Sequence, residues 1–407
     1  MGRFLRYWFC LTGTLALLAA CSKDETPAPP RPATTAEQTV LLYMPGRALA
    51  TYYEKNIEGI RKAVSKQVPG EGRILVCYQP RNNDKATLLE IYYDAAASGS
   101  AMQELKAYDT FDAASREDVA RMLADVAQIA PARSYGLIVG CHGKAWVPVE
   151  EGTLSSLSTQ IGAEDPWQTM PGAKPTRSFG DRGKEIDIAD FAAAVEAQSY
   201  RFDYLIFDAC FMANIETLYD LRRTVDCIIA SPCEIMAAGF PYDRAIPRLF
   251  TQNGASHDLQ RVCEEFYRFY NEDYQTAANS ERSGCISMTL TASLEPLADV
   301  MRRIYADRQQ TYDPAALQSY EGMPTHIFYD LGHYVTSAYI DAALLAEFEE
   351  RMNAAFPAAS RLHTPSFYSA YNSRLNPVTY YSGVSTSEPS TRYRTSFGET
   401  SWYRATH

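Results

Sequence analysis

Short, continuously apolar runs separated by helical patterns dominate the first half of this 407-residue chain. A strand with apolar residues on both faces is typical of a buried parallel sheet. Alternation of such strands with helices therefore predicts an α/β/α sandwich with a mainly parallel central sheet. The predicted strands are Thr39–Met44, Arg73–Tyr78, Leu88–Tyr93, Tyr135–Gly140, Asp203–Phe207 and Asp226–Ala230.

Apolar residues at helical spacing predict the intervening helices, one of which opens with a capping box at Ser115. These helices are Ala50–Lys66, Ser115–Ala130, Ile188–Ala197 and Asn214–Arg223. Residues 39–250 are interpreted as one domain, and residues 251–407 as an α+β extension packed on it. In the extension we expect helices at 256–271, 293–310 and 340–356, strands near Gly284–Leu290 and Thr325–Asp330, and short strands and packing loops from Phe367 onward.

Two predicted strands end in reactive side chains: Cys141-His142-Gly143 follows one, and Asp208-Ala209-Cys210 follows the other. If the two strands are parallel neighbours, both ends lie at one edge of the sheet. A helix starting after Cys210 would favour its thiolate, and His142 could act as the base and acid. The N–H groups of Gly143 and Cys210 could hold an oxyanion. Core packing of the cysteine and a structural role for the histidine are the alternatives.

The combination resembles the clostripain family of cysteine peptidases, which is grouped with caspases, legumains and gingipains. The resemblance covers most of residues 39–407 and implies a caspase-like fold, a catalytic dyad of His142 and Cys210, and cleavage after Arg and perhaps Lys. The matching stretches are YGLIVGCHGKAW (135–146), FDYLIFDACFMANIETLYDLR (202–222) and IIASPCEIMAAGFPY (228–242).

By the same resemblance, Asp208 is the acid at the base of the S1 pocket. A buried carboxylate suits a guanidinium because the two make bidentate, charge-assisted hydrogen bonds. Ser231 and Glu234 follow the next strand and are further candidates for this pocket. Cys141 departs from the pattern, since the family often has Asp before the His-Gly pair, and Ser-Pro-Cys-Glu at 231–234 stands where Ser-Glu-Glu is frequent.

Residues 144–187 interrupt the alternation with a long stretch rich in Gly, Pro, Ser and Thr, which is typical of a functional loop. Some members of the family are activated by internal cleavage between the histidine and cysteine strands. We therefore hypothesise that this chain cuts itself within 144–187. The candidate cleavage sites are after Lys174, Arg177, Arg182 and Lys184.

The chemistry of the dyad requires no cofactor, but some members of the family need calcium, so the resemblance leaves calcium open. No EF-hand-type spacing is present in the sequence. The oxygen ligands that the insertion offers are Asp181, Glu185, Asp187 and Asp190, for which a solvated loop and a helix cap at Asp187 are the alternative.

The first residues resemble a bacterial lipoprotein signal: Arg3 and Arg6 precede an apolar run, Trp8–Ala20, that ends at Cys21 in Leu-Ala-Ala-Cys. This predicts removal of residues 1–20, lipidation of Cys21, and a Pro-rich tether over 21–38. A soluble periplasmic protein cut nearby is the alternative. We expect an anchored protein of the bacterial cell envelope, located at the outer membrane. If the acidic pair after Cys21 acts as an export signal, the protein is exposed at the cell surface.

Composition excludes several other functions. A formal net charge of −11 gives no global attraction to nucleic acid. Zinc-binding, serine-hydrolase and phosphate-loop motifs are absent from the sequence. Nine cysteines are too few for a disulfide scaffold, and Cys77, Cys227, Cys263 and Cys285 are predicted to pack in the core.

The sequence thus predicts a monomeric, lipid-anchored cysteine endopeptidase whose partners are protein or peptide substrates containing Arg or Lys. The same fold with another P1 preference is one rival. The other is a non-catalytic surface lipoprotein that binds a protein or peptide.

Overall fold

The computed structural model describes residues 35–79, 85–149, 167–177, 185–250, 257–274, 281–307 and 309–407. Their centre is a nine-stranded sheet of order β10-β8-β7-β6-β5-β1-β2-β3-β4. The strands of this sheet are β1 Ala36–Met44, β2 Arg73–Tyr78, β3 Ala86–Asp94, β4 Gly99–Tyr108, β5 Ala132–Gly140, β6 Phe202–Asp208, β7 Val225–Ala230, β8 Cys285–Leu290 and β10 Leu362–His363. Strands β2, β1, β5, β6 and β7 run parallel, and antiparallel strands complete both edges.

Four short strands form two separate antiparallel pairs. Strand β9 Tyr329–Asp330 pairs with β13 Ser385–Thr386, and β11 Ser366–Ser369 pairs with β12 Arg374–Pro377. The helices are α1 Ala50–Ala63, α2 Arg116–Ile129, α3 Ile188–Glu196, α4 Ile215–Asp220, α5 Tyr242–Leu249, α6 Leu259–Arg268, α7 Leu294–Ala306, α8 Leu331–Ala338, α9 Ala342–Ala355, α10 Arg394–Phe397 and α11 Ser401–Thr406.

The helices cover the two faces of the sheet because successive strand residues point to opposite sides. In β1, Leu41 and Tyr43 join one hydrophobic cluster, whereas Val40 and Leu42 join the other. Helices α2, α3, α4, α7, α8 and α9 supply the first cluster, and α1, α5 and α6 supply the second. The predicted α/β/α sandwich with a mainly parallel sheet is confirmed.

The predicted strands and helices are present, with ends that differ by a few residues. Ser115 caps α2 as predicted, because its hydroxyl accepts the N–H of Asp118 at 3.2 Å. Strands β4 and β10 and helices α5, α8, α10 and α11 were not predicted. Helices α10 and α11 lie where only short strands and packing loops were expected. The strand expected at Thr325–Asp330 shrinks to the two residues of β9.

The chain after residue 250 contributes to the central sheet itself, because β8 pairs with β7 and β10 pairs with β8. The sheet begins at Ala36, within the stretch predicted as a tether. All seven described cysteines are free, and Cys77, Cys227, Cys263 and Cys285 are buried as predicted. Among the described residues, no helix is both long and apolar enough to cross a membrane.

Candidate active site

The two reactive strand ends lie side by side at the carboxyl edge of the sheet. Strands β5 and β6 are parallel neighbours, and Gly140 is in register with Asp208. The predicted proximity of the Cys141–Gly143 and Asp208–Cys210 segments is therefore confirmed. A sharp turn follows Cys210, in which Phe211 has φ +64°.

The thiol of Cys210 is fully buried, and its Sγ accepts the N–H of Ile235 at 3.0 Å. Burial raises the pKa of Cys210 well above its ordinary value, and the nearby carboxylate of Glu234 adds to that shift. Helix α4 begins only at Ile215. The thiol is therefore protonated in this arrangement, whereas the sequence favoured a thiolate stabilised by a helix N-terminus.

Residues Pro175–Arg177 lie across this edge as a short extended segment. Thr176 forms an antiparallel bridge with Met236. The N–H of Arg177 donates to the Ile235 carbonyl at 2.8 Å, and the N–H of Ala237 donates to the Pro175 carbonyl at 3.0 Å. This main-chain pairing is the pattern in which a peptide adds a strand to its binding protein.

The carbonyl oxygen of Arg177 lies between the two N–H groups that the sequence assigned to an oxyanion hole. It accepts the N–H of Gly143 at 3.0 Å and that of Cys210 at 3.4 Å. Gly143 is essential to this approach, because an added Cβ would lie 2.3 Å from the carbonyl oxygen of Cys210. A carbonyl group of the same chain therefore occupies the position between these two N–H groups.

The side chain of Arg177 is fully buried and ends on Asp208. Its Nη1 lies 2.9 Å from Oδ2 of Asp208 and donates to the Asp208 carbonyl at 3.2 Å. Its Nη2 donates to Oδ1 of Asn56 at 2.7 Å, and its Nε donates to the Ala237 carbonyl at 3.3 Å. The hydroxyl of Tyr242 donates to the same Oδ2 of Asp208 at 2.8 Å.

The Arg177–Asp208 pair is ionic. Burial alone would lower the pKa of Arg177, but Asp208 and the neighbouring tyrosines together outweigh it and the pKa is raised. Burial likewise raises the pKa of Asp208, while Arg177 and Tyr242 oppose that shift. Because a guanidinium does not lose its proton in proteins, the carboxylate beside it stays ionised.

Gly239 makes room for the guanidinium. Its φ is +72°, and an added Cβ would lie 2.3 Å from Nη2 of Arg177 and 2.5 Å from Oδ2 of Asp208. The Gly239 carbonyl accepts the hydroxyl of Tyr270 at 2.8 Å, which holds this turn in place.

His142, which follows β5, is partly buried. Within the described residues, neither of its ring nitrogens has a hydrogen-bond partner. Burial, and then the positive charge of Arg177, lower the pKa of His142 to about 4, so its ring is neutral at pH 7. Two cavities of about 90 and 70 Å³ adjoin the ring, and Pro45, Cys141, Glu185 and Ile186 line both.

The remaining predicted residues lie in several places. The hydroxyl of Ser231 donates to the Cys233 carbonyl at 3.0 Å and accepts the Cys233 N–H at 3.2 Å, within the turn after β7. Glu234 accepts the hydroxyl of Thr176 at 2.8 Å. The S1 role of Ser231 stays a prediction. Cys21, Asp181, Arg182 and Lys184 lie outside the described residues.

The candidate calcium ligands do not form a cluster in the described part of the chain, where no group of three or more metal-ligating side chains is found. Asp187 accepts the N–H of Val149 at 2.8 Å through its Oδ1. Since Asp181 is not described, calcium binding stays a prediction.

Sequence reasoning missed four residues of the site: Asn56, Gly239, Tyr242 and Tyr270. Gly239 and Tyr242 belong to the matching stretch 228–242, so that stretch was the available signal. Asn56 lies on α1, far from the motifs along the chain, and nothing in its local sequence indicates a role in the site.

Comparison with known proteins identifies the family. The sequence model of the clostripain family, Peptidase_C11, matches residues 42–371. No curated protein matches the chain. Among solved structures, the secreted C11 cysteine protease "iotapain" of Bacteroides thetaiotaomicron is 31% identical with a TM-score of 0.78, over 92% of this chain and 100% of that one.

An inactive zymogen of a C11 protease from Parabacteroides distasonis is 26% identical with a TM-score of 0.74, over 92% of this chain and 99% of that one. A clostripain from B. thetaiotaomicron ATCC 29148, solved with the peptide inhibitor BTN-VLTK-AOMK, is 33% identical over 56% of this chain and 98% of that one, with a TM-score of 0.50. This protein therefore belongs to the clostripain family and is a C11 cysteine protease with the caspase-like fold of that family.

Proposed function

We propose that the protein is an Arg-specific cysteine endopeptidase that first cleaves its own chain after Arg177. One observation carries this proposal: the contacts of Arg177 are those that we expect of a substrate's P1 residue. Its guanidinium lies on Asp208 and its carbonyl oxygen lies between the N–H groups of Gly143 and Cys210. Of the candidate cleavage sites, Lys174 lies three residues too early for this position, and Arg182 and Lys184 lie outside the described residues.

The proposed chemistry uses His142 and Cys210. His142 takes the thiol proton while Sγ of Cys210 attacks the Arg177 carbonyl carbon, and Gly143 and Cys210 N–H groups stabilise the resulting oxyanion. The peptide C–N bond then breaks, and His142 returns the proton to the leaving amine. Water hydrolyses the thioester, which releases a carboxylate at Arg177 and restores the thiol.

The pocket supports a preference for Arg over Lys. The guanidinium reaches Asp208, Asn56 and Ala237 through three different nitrogens. A lysine side chain ends in a single ammonium nitrogen. It lacks the planar set of three nitrogens with which arginine reaches all three acceptors. The inhibitor of the B. thetaiotaomicron clostripain ends its peptide in Lys, which indicates that a relative binds Lys. We therefore propose that Lys is cleaved here as well, but more slowly.

Intact-mass analysis of freshly purified protein tests self-cleavage. Wild type should give two fragments that meet after Arg177, and Cys210→Ala should stay uncut. Arg177→Gln should lose this junction, whereas the matched control Arg182→Gln should keep it. A cut after Arg177 in Cys210→Ala, or a junction elsewhere in wild type, would contradict the proposal.

Fluorogenic peptides ending in Arg, Lys, Asn or Asp, assayed with and without calcium, test the specificity. Hydrolysis of Arg peptides faster than Lys peptides, lost in Cys210→Ala and His142→Ala, is expected. Equal rates for Asn or Asp would favour another P1 preference. No turnover of any peptide and no self-cleavage would favour a binding module with a caspase-like fold.

We further propose that a lipid on Cys21 anchors the protein in the cell envelope, at the outer membrane. The support is the Leu-Ala-Ala-Cys sequence and the Pro-rich stretch after it. In cell fractionation, Cys21→Ala should move the protein from the membrane fraction to the soluble fraction. Equal partition of the two forms would refute the anchor.

A further inference from the structure

We propose that Glu281 forms a subsite for a basic side chain at P4, three residues before the P1 residue. This inference deepens the proposed function and rests on it. If Arg177 is the P1 residue, Lys174 is the P4 residue, and the Lys174 ammonium forms an ion pair with Glu281. Glu281 would thus select substrates that carry a second positive charge besides the P1 arginine.

The register of the bound segment is fixed by main-chain contacts, which any peptide can make. The N–H of Arg177 donates to Ile235, and the N–H of Ala237 donates to Pro175. One residue earlier, the N–H of Lys174 donates to the hydroxyl of Tyr368 at 2.8 Å. A substrate bound in this register places its P4 side chain beside Glu281, whatever its sequence.

The side chains along the segment differ in their surroundings. Thr176 and Arg177 are buried, and Pro175 is exposed. The Lys174 side chain is 36% exposed and that of Glu281 only 11%. A mostly buried carboxylate retains more of its attraction for a cation than a surface carboxylate does, because water screens it less. The charge at P4 therefore contributes to selection, while P3 faces solvent.

Glu281 also has capacity for a second contact. Its Oε2 atom is buried, and within the described residues it has no hydrogen-bond partner. An arginine at P4 could engage both carboxylate oxygens through its planar fork, whereas a lysine engages one. The expected order at P4 is Arg at least equal to Lys, then Ala, then Glu.

Elements outside the bound segment hold Glu281 in place. Two residues later, Ser283 forms a bridge with Ser366, and its hydroxyl accepts the N–H of Tyr368 at 2.8 Å. Tyr368 is the residue whose hydroxyl binds the Lys174 N–H. Glu281 and the Tyr368 hydroxyl that accepts the P4 N–H are therefore linked through Ser283, outside the bound segment.

The alternative is that Glu281 only fastens Lys174 before cleavage and plays no part with other peptides. Kinetics on the full chain after self-cleavage, verified by intact mass, separates the two. The probes are four fluorogenic peptides X-Pro-Thr-Arg with X as Lys, Arg, Ala or Glu. The variants are wild type, Glu281→Lys and Glu272→Lys, the last being an exposed carboxylate that receives the same change of charge.

For wild type, we expect kcat/KM to be about tenfold higher with Lys or Arg than with Ala at P4, and lower still with Glu. Glu281→Lys should reverse the order of the Lys and Glu peptides, and Glu272→Lys should leave it as in wild type. Should Glu281→Lys not fold, wild type alone decides, because the preference for Lys over Ala must also shrink as salt is added.

Overturning results are specific. Equal kcat/KM for the Lys and Ala peptides in wild type would refute the subsite. If Glu281→Lys only slows self-cleavage and does not change the P4 order, Glu281 fastens Lys174 before cleavage and does not select substrates. If the Ala peptide is cleaved, the proposed protease function stands in either case. If no peptide is cleaved, the protease function fails and this subsite fails with it.

Discussion

Arg177 and its contacts form one region of the active site, and His142 with its neighbouring cavities forms the other. Around Arg177, the guanidinium, the main-chain N–H and the carbonyl oxygen each have partners at hydrogen-bond distance. Around His142, the ring nitrogens have none among the described residues, and open volume adjoins the ring. Sγ of Cys210 accepts the N–H of Ile235, and the Ile235 carbonyl accepts the N–H of Arg177, so the thiol belongs with the Arg177 region.

If the proposed self-cleavage holds, the contacts that bind Arg177 are already made in the uncut chain, whereas His142 is not yet aligned for proton transfer. Arg177 is bound by main-chain groups, by Asp208 at the end of β6 and by Asn56 on α1. Proton transfer requires His142 to come within hydrogen-bond reach of Sγ, and such contacts commonly tighten only during reaction. The slow step of self-cleavage is therefore expected on the His142 side.

The largest expected effect comes from breaking the Arg177 region with Gly239→Ala. The added methyl group would overlap both the guanidinium and the Asp208 carboxylate. We expect self-cleavage to stop and kcat/KM for Arg peptides to fall by about 10³ or more, which corresponds to about 4 kcal/mol of lost binding. Gel analysis of the fragments and peptide kinetics measure the two effects.

Gly172→Ala is the matched control. Gly172 has φ +75°, close to the +72° of Gly239, but an added Cβ at Gly172 would meet no atom within 4 Å. Both variants therefore carry the same backbone cost of about 1–2 kcal/mol for a left-handed residue, and only Gly239→Ala carries the overlap. Retention of activity within tenfold in Gly239→Ala would show that Arg is bound elsewhere.

The sequence predicted the parts of this molecule that have a local pattern. Strands β1, β5 and β6 are continuously apolar because both faces of each are buried, so their presence could be inferred. Strand β4 could not, because it lies at the edge of the sheet and its sequence, GSAMQELKAY, mixes polar and apolar residues without the pattern of a buried strand.

The same limit applies to the site. The placement of His142 beside the Asp208–Cys210 turn follows from two strand ends, which the sequence displays. The choice of Arg177 among four basic residues does not, since it depends on which of them reaches Asp208 in the folded chain. The partner of Arg177 on α1, Asn56, is 121 residues away in sequence, and only tertiary structure selects it.

The smallest expected effect concerns the electrostatic link between the two regions. Burial is the larger cause of the lowered pKa of His142, about 4, and the positive charge of Arg177 is the smaller cause. In a Cys210→Ala background, which keeps the chain uncut, Arg177→Gln removes this charge, and the pKa of His142 should rise toward 6.5. NMR titration of the imidazoles measures it. His257, whose pKa is lowered by burial and which packs against Tyr204, is the internal control and should not change.

This shift also has a definite sign in stability. Since the folded pKa of His142 lies below 6.5, between that pH and about 4 the unfolded chain takes up a proton that the folded chain does not. The contribution is fully present above pH 6.5 and is lost as the pH falls toward 4. Urea unfolding at several pH values measures this effect. As the pH falls from 6.5 toward 4, the free energy of unfolding should decrease less in Cys210→Ala/Arg177→Gln than in Cys210→Ala. Protonation of Asp208, left without its guanidinium, acts in the same direction, so the titration of His142 separates the two. An unchanged pKa for His142 would mean that the two regions are electrostatically independent.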